Sequence, residues 1–261
     1  MKPGQLWEKL QSKYQRTASS WLFRQPFHAP ARQAYLSFTF DDFPRSALSA
    51  GGMILQRHGV RGTYYAAFGI MGQDTPSGRI FTAEDLPELL TQGHELGCHT
   101  FAHCHSWDTP PRVYENSILE NRRALAGLVP GAAFQSFSYP ITCPRPFTKR
   151  RAARHFDTCR GGGQTFNRGV IDLGNLRAFF LEKSRERPAE VKRMIDLNQQ
   201  AKGWLVLATH DVSPTPTPFG CTPDFFEEIV AYAANSGCRI LPVREVLAEL
   251  RGPSGRPETK H

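Results

Sequence analysis

The sequence predicts an α/β fold, a distorted (β/α) barrel with seven or eight strands. Three observations carry this. Apolar runs such as "YLSFTF" (35–40) and "GWLVLAT" (203–209) read as strands built for burial. They alternate with amphipathic helical stretches, the pattern of a largely parallel sheet. Seven or eight such units occupy roughly 225 residues, which suits a closed barrel better than an open sheet.

The elements follow in order. "YLSFTFDD" is the first strand, with a short helical stretch around "ALSAGGMILQRHG". "RGTYYAAFG" is a second strand, rich in aromatics. "TAEDLPELLTQG" has an N-cap at Thr82, an acid three residues later at Asp85 and a glycine stop. "HELGCHT" is a third strand. "PRVYENSILENRRALAGL" is an amphipathic helix with Val113, Ile118, Leu119 and Leu125 among its apolar positions. "AAFQSFSYP" is a fourth strand, "PFTKRRAARH" a basic helix and "FDTCRGG" a short strand. The stretch "GQTFNRGVIDLGNLRAFFLE" has no readable period. "RPAEVKRMIDLNQQ" opens a helix on proline, as proline prefers. "GWLVLATHDV" is a strand, "TPDFFEEIVAYAANSG" a Thr-capped helix, and "CRILPVREVLAEL" a last strand and helix.

Three segments are expected: an N-terminal appendage over 1–33, the barrel over 34–250 and a disordered polar tail over 251–261. In the first, Leu6, Trp7, Leu10 and Tyr14 fall at helical spacing among basic residues. A helix packed on the domain is the favoured reading. The other is a basic amphipathic segment lying on a membrane surface. There is no internal repeat.

Composition narrows the class. With 40% hydrophobic and 21% charged residues, global disorder is excluded. A net charge of +8 suits a solvated basic surface, an anionic membrane or an anionic glycan. Nucleic acid is the least favoured partner, because no long Lys/Arg run, zinc-finger spacing or RNP-like motif is present. No stretch is long and apolar enough to span a bilayer. The N-terminus lacks an uninterrupted apolar core of a signal peptide, so the cytoplasm is expected. Six scattered cysteines without a CxxC read as reduced thiols.

In such barrels the site lies at the C-terminal ends of the strands. There stand Asp41 and Asp42, the pair His99 and His103, and His210. Two adjacent acids repel, and burying either one unpaired is costly. Histidines four apart share a face if they lie on one helical turn. Two imidazoles and a carboxylate, with open positions left for water, are a metal-hydrolase donor set. A bound cation would also offset the second acid. A structural zinc on Cys98, His99, His103 and Cys104 is the weaker alternative, because these lack the usual paired spacing.

In combination, "TFDDF" (39–43), "HTFAH" (99–103), "FSYP" (137–140) and "LATHD" (207–211) resemble the successive motifs of the polysaccharide deacetylase family, the NodB-homology domain of carbohydrate esterase family 4. The resemblance runs from about residue 35 to 248. It implies a distorted (β/α) barrel and a metal-dependent hydrolase that removes N- or O-acetyl groups from sugars. It implies that Asp42, His99 and His103 hold Zn2+ or another divalent metal ion, that Asp41 is the general base and that His210 is the general acid. The backbone N–H of Ile141 would help hold the oxyanion.

The departures carry expectations of their own. Phe43 stands where the family has glycine and is expected to narrow the cleft or stack on a sugar. Tyr139 of "FSYP" is counted with the substrate-side residues. Ser138 replaces the family's base-orienting arginine, Ile141 replaces a tyrosine, and Arg160 is the candidate substitute for the arginine. The aspartate–tryptophan fourth motif is missing, with Asp172 or Asn167 as alternatives. Asp211 is read as capping the turn after His210, His105 as a surface histidine, and "SPTPTPFG" (213–220) as shaping the mouth of the site. "GGGQTFN" (161–167) has no phosphate-loop pattern and is assigned to chain flexibility. The expected substrate is an N-acetylated sugar intermediate, with the basic aromatic N-terminus suggesting a lipid-linked one at the membrane face. The alternatives are a deformylase or other C–N amide hydrolase on the same site, and a glycan-binding barrel without turnover.

Overall fold

The structure is a computed structural model that describes residues 10, 13–14, 17–141 and 143–252. Its frame is a parallel sheet built from β1 (Tyr35–Phe40), β2 (Thr63–Ala66), β3 (Glu95–Cys98), β4 (Ser136–Ser138), β5 (Thr158–Arg160), β6 (Phe179–Phe180) and β7 (Trp204–Thr209), with β8 (Arg239–Ile240) pairing onto β1. The spatial order is β6-β7-β1-β2-β3-β4-β5. The sheet curls until its edges meet. Arg160 of β5 bridges Leu176, just ahead of β6, and Gly161 N–H donates to the Leu176 carbonyl at 2.8 Å. This is the distorted barrel that the alternation predicts, with one irregular seam.

β1 lies between β7 and β2, and all six of its residues are buried. Its C-terminal acids are therefore delivered to the middle of the barrel mouth. Gly97 on β3 makes room for a neighbour, since a Cβ there would sit 2.5 Å from the Tyr65 ring.

The helices follow their sequence signals with local differences. Pro111–Leu128 buries Tyr114, Ile118, Asn121 and Leu125, whereas Val113 faces outward at 53% exposure. The inward stripe steps by three and four residues, and position 113 lies off it. Thr222 accepts the Phe225 N–H and caps Pro223–Ala234. Asp85 accepts the Thr82 N–H at 2.7 Å, so the acid half of the capping box forms. The helix proper begins only at Asp85. The stretch without a readable period holds Val170–Asp172, which pairs antiparallel with Pro26–His28, then β6 and a short 3-10 helix, Leu181–Ser184. Pieces of two to four residues are too short to show a period.

Leu6, Trp7 and the tail 253–261 lie outside the described residues. From residue 17 the N-terminal segment is fastened to the barrel. The buried Lys149 ammonium donates to the Ser19 carbonyl (2.8 Å), the Leu22 carbonyl (3.0 Å) and Asp172 Oδ2 (2.6 Å). Asp172 Oδ1 accepts the N–H groups of Gln25 and Gly174. Burial lowers the Lys149 pKa, and Asp172 opposes it. Among the described residues, no helix is long and apolar enough to cross a membrane.

Removing one partner of a buried ion pair leaves an uncompensated charge. Lys149→Ala is expected to cost about 3–5 kcal/mol, while Lys149→Met combined with Asp172→Leu recovers most of that loss. Urea unfolding of the three proteins checks it, and a near-neutral Lys149→Ala would contradict it.

Candidate active site

The acids that end β1 have different surroundings. Asp41 continues the strand, its N–H donating to the Thr209 carbonyl at 2.9 Å. Its Oδ1 accepts from Ser138 Oγ at 3.1 Å and from Arg160 Nη2. The same Arg160 nitrogen donates to Ser138 Oγ. Arg160 is 1% exposed and sits over the rings of Tyr65 (5.3 Å) and Phe180 (5.4 Å). It is not a solvent-facing loop residue but the buried counter-charge of Asp41. Burial alone would raise the Asp41 pKa; Arg160, with His99 and His210, outweighs burial and holds it below the usual carboxylate value.

Asp42 turns away with φ at 60°. Its Oδ1 lies 3.3 Å from His99 Nε2 and 3.0 Å from His103 Nε2. Ser77 Oγ donates to its Oδ2 at 2.6 Å. His99 Nδ1 sits 2.8 Å from the Ser138 carbonyl; an N–H there leaves Nε2 as a lone pair aimed at Asp42. Asp42 Oδ1 is buried and, among the described residues, makes no hydrogen bond. Two imidazole nitrogens and an orphaned carboxylate oxygen thus converge on one point, which suits a cation. Among the described residues, Asp42, His99 and His103 are the group of three that could hold a metal ion. The donor set fits zinc or a similar divalent ion. Cys98 and Cys104 take no part in it. The buried Cys98 Sγ accepts from Asn121, and burial pushes its thiol up to about 12.

The two histidines do not share a helical turn. Residues 99–103 form a loop in which Thr100 (φ 60°) and His103 (φ 49°) adopt the left-handed conformation. Thr100 Oγ1 accepts the Cys104 N–H, Ser117 Oγ accepts those of Phe101 and Ala102, and Gly69 N–H donates to the Phe101 carbonyl. Side-chain and backbone partners outside the segment hold a shape that spacing alone does not specify.

His210 stands at the end of β7, its Nε2 3.9 Å from Asp42 Oδ2. Its Nδ1 is buried without a partner among the described residues, and its ring packs on Phe219 at 5.4 Å. Asp211 accepts from the N–H and hydroxyl of Thr217, so it caps the following turn. Gly220 lets that turn close, because a Cβ there would lie 2.1 Å from Asp211 Oδ1. Asp41, Asp42, Ser77, His99, His103 and His210 face a cavity of ≈ 510 Å³ that Ile70, Pro76, Ile141, Phe180, Glu182 and Phe219 also line. Ile141 is 57% exposed with φ at 56°, and among the described residues its N–H finds no acceptor.

Two expected substrate-side residues lie elsewhere. Phe43 is fully buried beneath the site, stacked on Phe81 at 4.7 Å and tilted against Tyr64. It adopts φ at 53°, and its carbonyl accepts the Phe81 N–H, which pulls the ring inward rather than into the cleft. Tyr139 is 1% exposed and donates to the Gly174 carbonyl. Successive side chains point to opposite faces, so with Ser138 aimed at Asp41, Tyr139 points away. Neither Asp172 nor Asn167 meets the base. Asp172 is committed to Lys149, and Asn167 ties the Arg177 and Trp204 carbonyls. Sequence reasoning missed Ser77 and Glu182. Glu182 faces the cavity with a buried Oε2 that has no hydrogen-bond partner among the described residues, and burial pushes its pKa up to about 7. Its signal is its place, two residues past β6.

The comparisons agree with this geometry. A family model described as polysaccharide deacetylase matches residues 28–155. No curated protein matches the sequence significantly. Solved structures share the fold. One is the Xyl-CE4 domain of a multidomain xylanase from the hindgut metagenome of Trinervitermes trinervoides, at TM-score 0.58 and 19% identity over 88% of this chain and 96% of that one. Another is a family 4 acetyl xylan esterase from Clostridium thermocellum in complex with a cobalt ion, at TM-score 0.57 and 22% identity over 85% and 93%. A third is a CE4 family pseudoenzyme from Bacillus anthracis, at TM-score 0.60 and 13% identity over 85% and 68%.

The Asp41 environment makes a pH prediction. A lowered carboxylate contributes stability that is full above the unfolded pKa of about 3.9 and is lost only as pH falls through the lower folded value. Without Arg160, burial raises that pKa and the sign reverses. Arg160→Met is expected to lose about 3–5 kcal/mol near neutral pH. It should regain part of this at about pH 5, where the wild-type contribution stays flat. Denaturant unfolding at the two pH values decides it; a variant whose deficit does not shrink on acidification contradicts it.

Proposed function

This chain belongs to the polysaccharide deacetylase family, and on that premise we propose that it is a metal-dependent hydrolase that removes an N-acetyl (or O-acetyl) group from a sugar and releases acetate. The observation that carries the reading is the division of labour within one Asp-Asp pair. Asp42 faces two imidazole nitrogens at 3.0 and 3.3 Å, while Asp41 is held apart by Arg160 and Ser138. Asp42, His99 and His103 would hold a divalent ion, zinc or another, which would supply Lewis acidity toward an acyl carbonyl and acidify water.

The other residues have separable tasks. Asp41 takes the proton from the attacking water, and its lowered pKa keeps it ionised for that purpose. Arg160 and Ser138 position it. The Ile141 N–H donates to the carbonyl oxygen as negative charge develops there. His210, at the end of the neighbouring strand β7, protonates the departing nitrogen as the C–N bond breaks, so acetate and an amine leave. Ile70, Pro76, Phe180 and Phe219 give the cavity an apolar wall that suits an acyl methyl, which favours acetyl over formyl. A barrel that only binds glycan has no use for a second, separately supported acid. The finer reading is an enzyme acting on a lipid-linked sugar at the cytoplasmic membrane face; the exposed Trp21, Leu22 and Phe23 beside Arg24 support the lipid-facing part of it.

Zinc-loaded protein is expected to release acetate from N-acetylated sugars. Asp41→Asn should lower kcat about 10²–10⁴-fold while keeping the metal, and His210→Ala should do the same. Arg160→Met should move the acid limb of kcat/KM to higher pH. Acetate release unchanged in Asp41→Asn would remove the general base from this account.

A further inference from the structure

Outside the catalytic cavity runs a trough that the deacetylation chemistry does not require. The catalytic cavity shares Ile141, Phe180 and Lys183 with a second cavity of ≈ 550 Å³. That cavity shares Ser20, Asn175 and Arg177 with a third of ≈ 350 Å³. The three adjoin in a line from Asp42 to the N-terminal segment. Basic side chains mark the line: Lys183 at the first junction, Arg177 at the second, then Arg168 and Arg24.

These cations form no ion pair among the described residues, and the carboxylate that Lys183 feels is its chain neighbour Glu182. Among the described residues, none of the four pairs with a carboxylate; Arg24 reaches only the Val170 carbonyl, at 3.4 Å. Among the described residues, the one acid lining the two outer cavities is Asp172, and Lys149 already occupies it. The Lys183 ammonium rests 5.3 Å above the Phe180 ring. Gly162 and Gly163 line the second cavity, and among the described residues their N–H groups donate to nothing within the protein. Gly163 has φ at 148°, and a Cβ there would lie 3.3 Å from the Arg177 side chain. The glycine run thus sits against Arg177 with two backbone donors to spare.

A neutral sugar would leave this row of like charges repelling, and a lone carboxylate would answer only one of them. A phosphoryl group offers several acceptor oxygens and more than one charge, which suits an arginine, a lysine and consecutive backbone N–H groups together. We propose that Lys183, Arg177 and the Gly162–Gly163 N–H groups bind a phosphoryl group carried by the sugar, so that the substrate class is an N-acetylated sugar phosphate or diphosphate ester rather than a neutral glycan. The sugar part rests on the deacetylase reading; the anion site does not.

The test is calorimetric titration of the metal-loaded full chain with N-acetylglucosamine 1-phosphate and with N-acetylglucosamine, in wild type and in Arg177→Ala/Lys183→Ala. The phosphate ester should bind the wild type about tenfold or more tightly than the variant, with the difference shrinking as salt rises, and the neutral sugar should bind both alike. Equal affinity of the ester for both proteins overturns the proposal. Co-sedimentation with phosphatidylcholine vesicles, with and without a polyprenyl phosphate, separates the sources. Capture that needs both the polyprenyl phosphate and the two cations assigns the phosphate to a lipid carrier, and ester binding without capture assigns it to a soluble sugar phosphate. Acetate release is assayed apart. Phosphate-dependent binding without release overturns the deacetylase reading alone, and release from neutral and phosphorylated sugars alike, with no effect of the two cations, overturns the anion site alone.

Discussion

Asp41 and Asp42 are consecutive and each only 5% exposed, so two carboxylates must stay ionised side by side under cover. Neither can do so without its own counter-charge. The chain separates them by backbone geometry, with Asp41 extending β1 and Asp42 turning off at φ 60°. Arg160 answers the first. It comes from β5, four positions along the sheet from β1. In a flat sheet those strands would stand about 19 Å apart, beyond the reach of any side chain. The ion pair therefore exists only because the sheet curls, and the barrel and the base depend on each other. The two imidazoles around Asp42 complete the second half, with a place for a cation between them.

The site also stores backbone strain. Asp42, Phe43, Thr100, His103 and Ile141 all have positive φ without being glycine. Such residues cost about 1–3 kcal/mol each and persist where the surroundings over-determine them. Here the surroundings are identifiable. The Phe43 ring is gripped by Phe81 and Tyr64, the 99–103 loop is held by Ser117 and Thr100, and the burial of β1 fixes where Asp42 starts. The conformations aim Asp42 and His103 at one point and leave the Ile141 N–H without an acceptor among the described residues. Ser138 links the halves, its hydroxyl on the base and its carbonyl on His99.

Much of this was legible in the sequence, and the remainder has physical reasons. Strands and helices with a long period could be read, because burial on both faces or along one stripe leaves a regular trace. The acids, the histidine pair and His210 could be found because strand ends in a parallel barrel converge. Arg160 was legible only as the nearest arginine at another strand end. Phe43 and Tyr139 misled because local motif spacing says nothing of which way a side chain turns. A left-handed backbone sends Phe43 inward, and strand alternation sends Tyr139 away from Ser138. The helical turn assumed for His99 and His103 fails because tertiary hydrogen bonds override local preference. Ser77 leaves no trace and Glu182 only its place two residues past β6, since each follows or sits in elements of two to four residues.

The central claim is that one aspartate of the pair belongs to a metal ion and the other does not. Metal content after zinc loading and desalting tests it most directly, with wild type, Asp41→Asn and Asp42→Asn measured together. The account predicts about one ion per chain in wild type and in Asp41→Asn, and its loss in Asp42→Asn. Loss of the ion from Asp41→Asn to the same degree, or none held by the wild type, would contradict it.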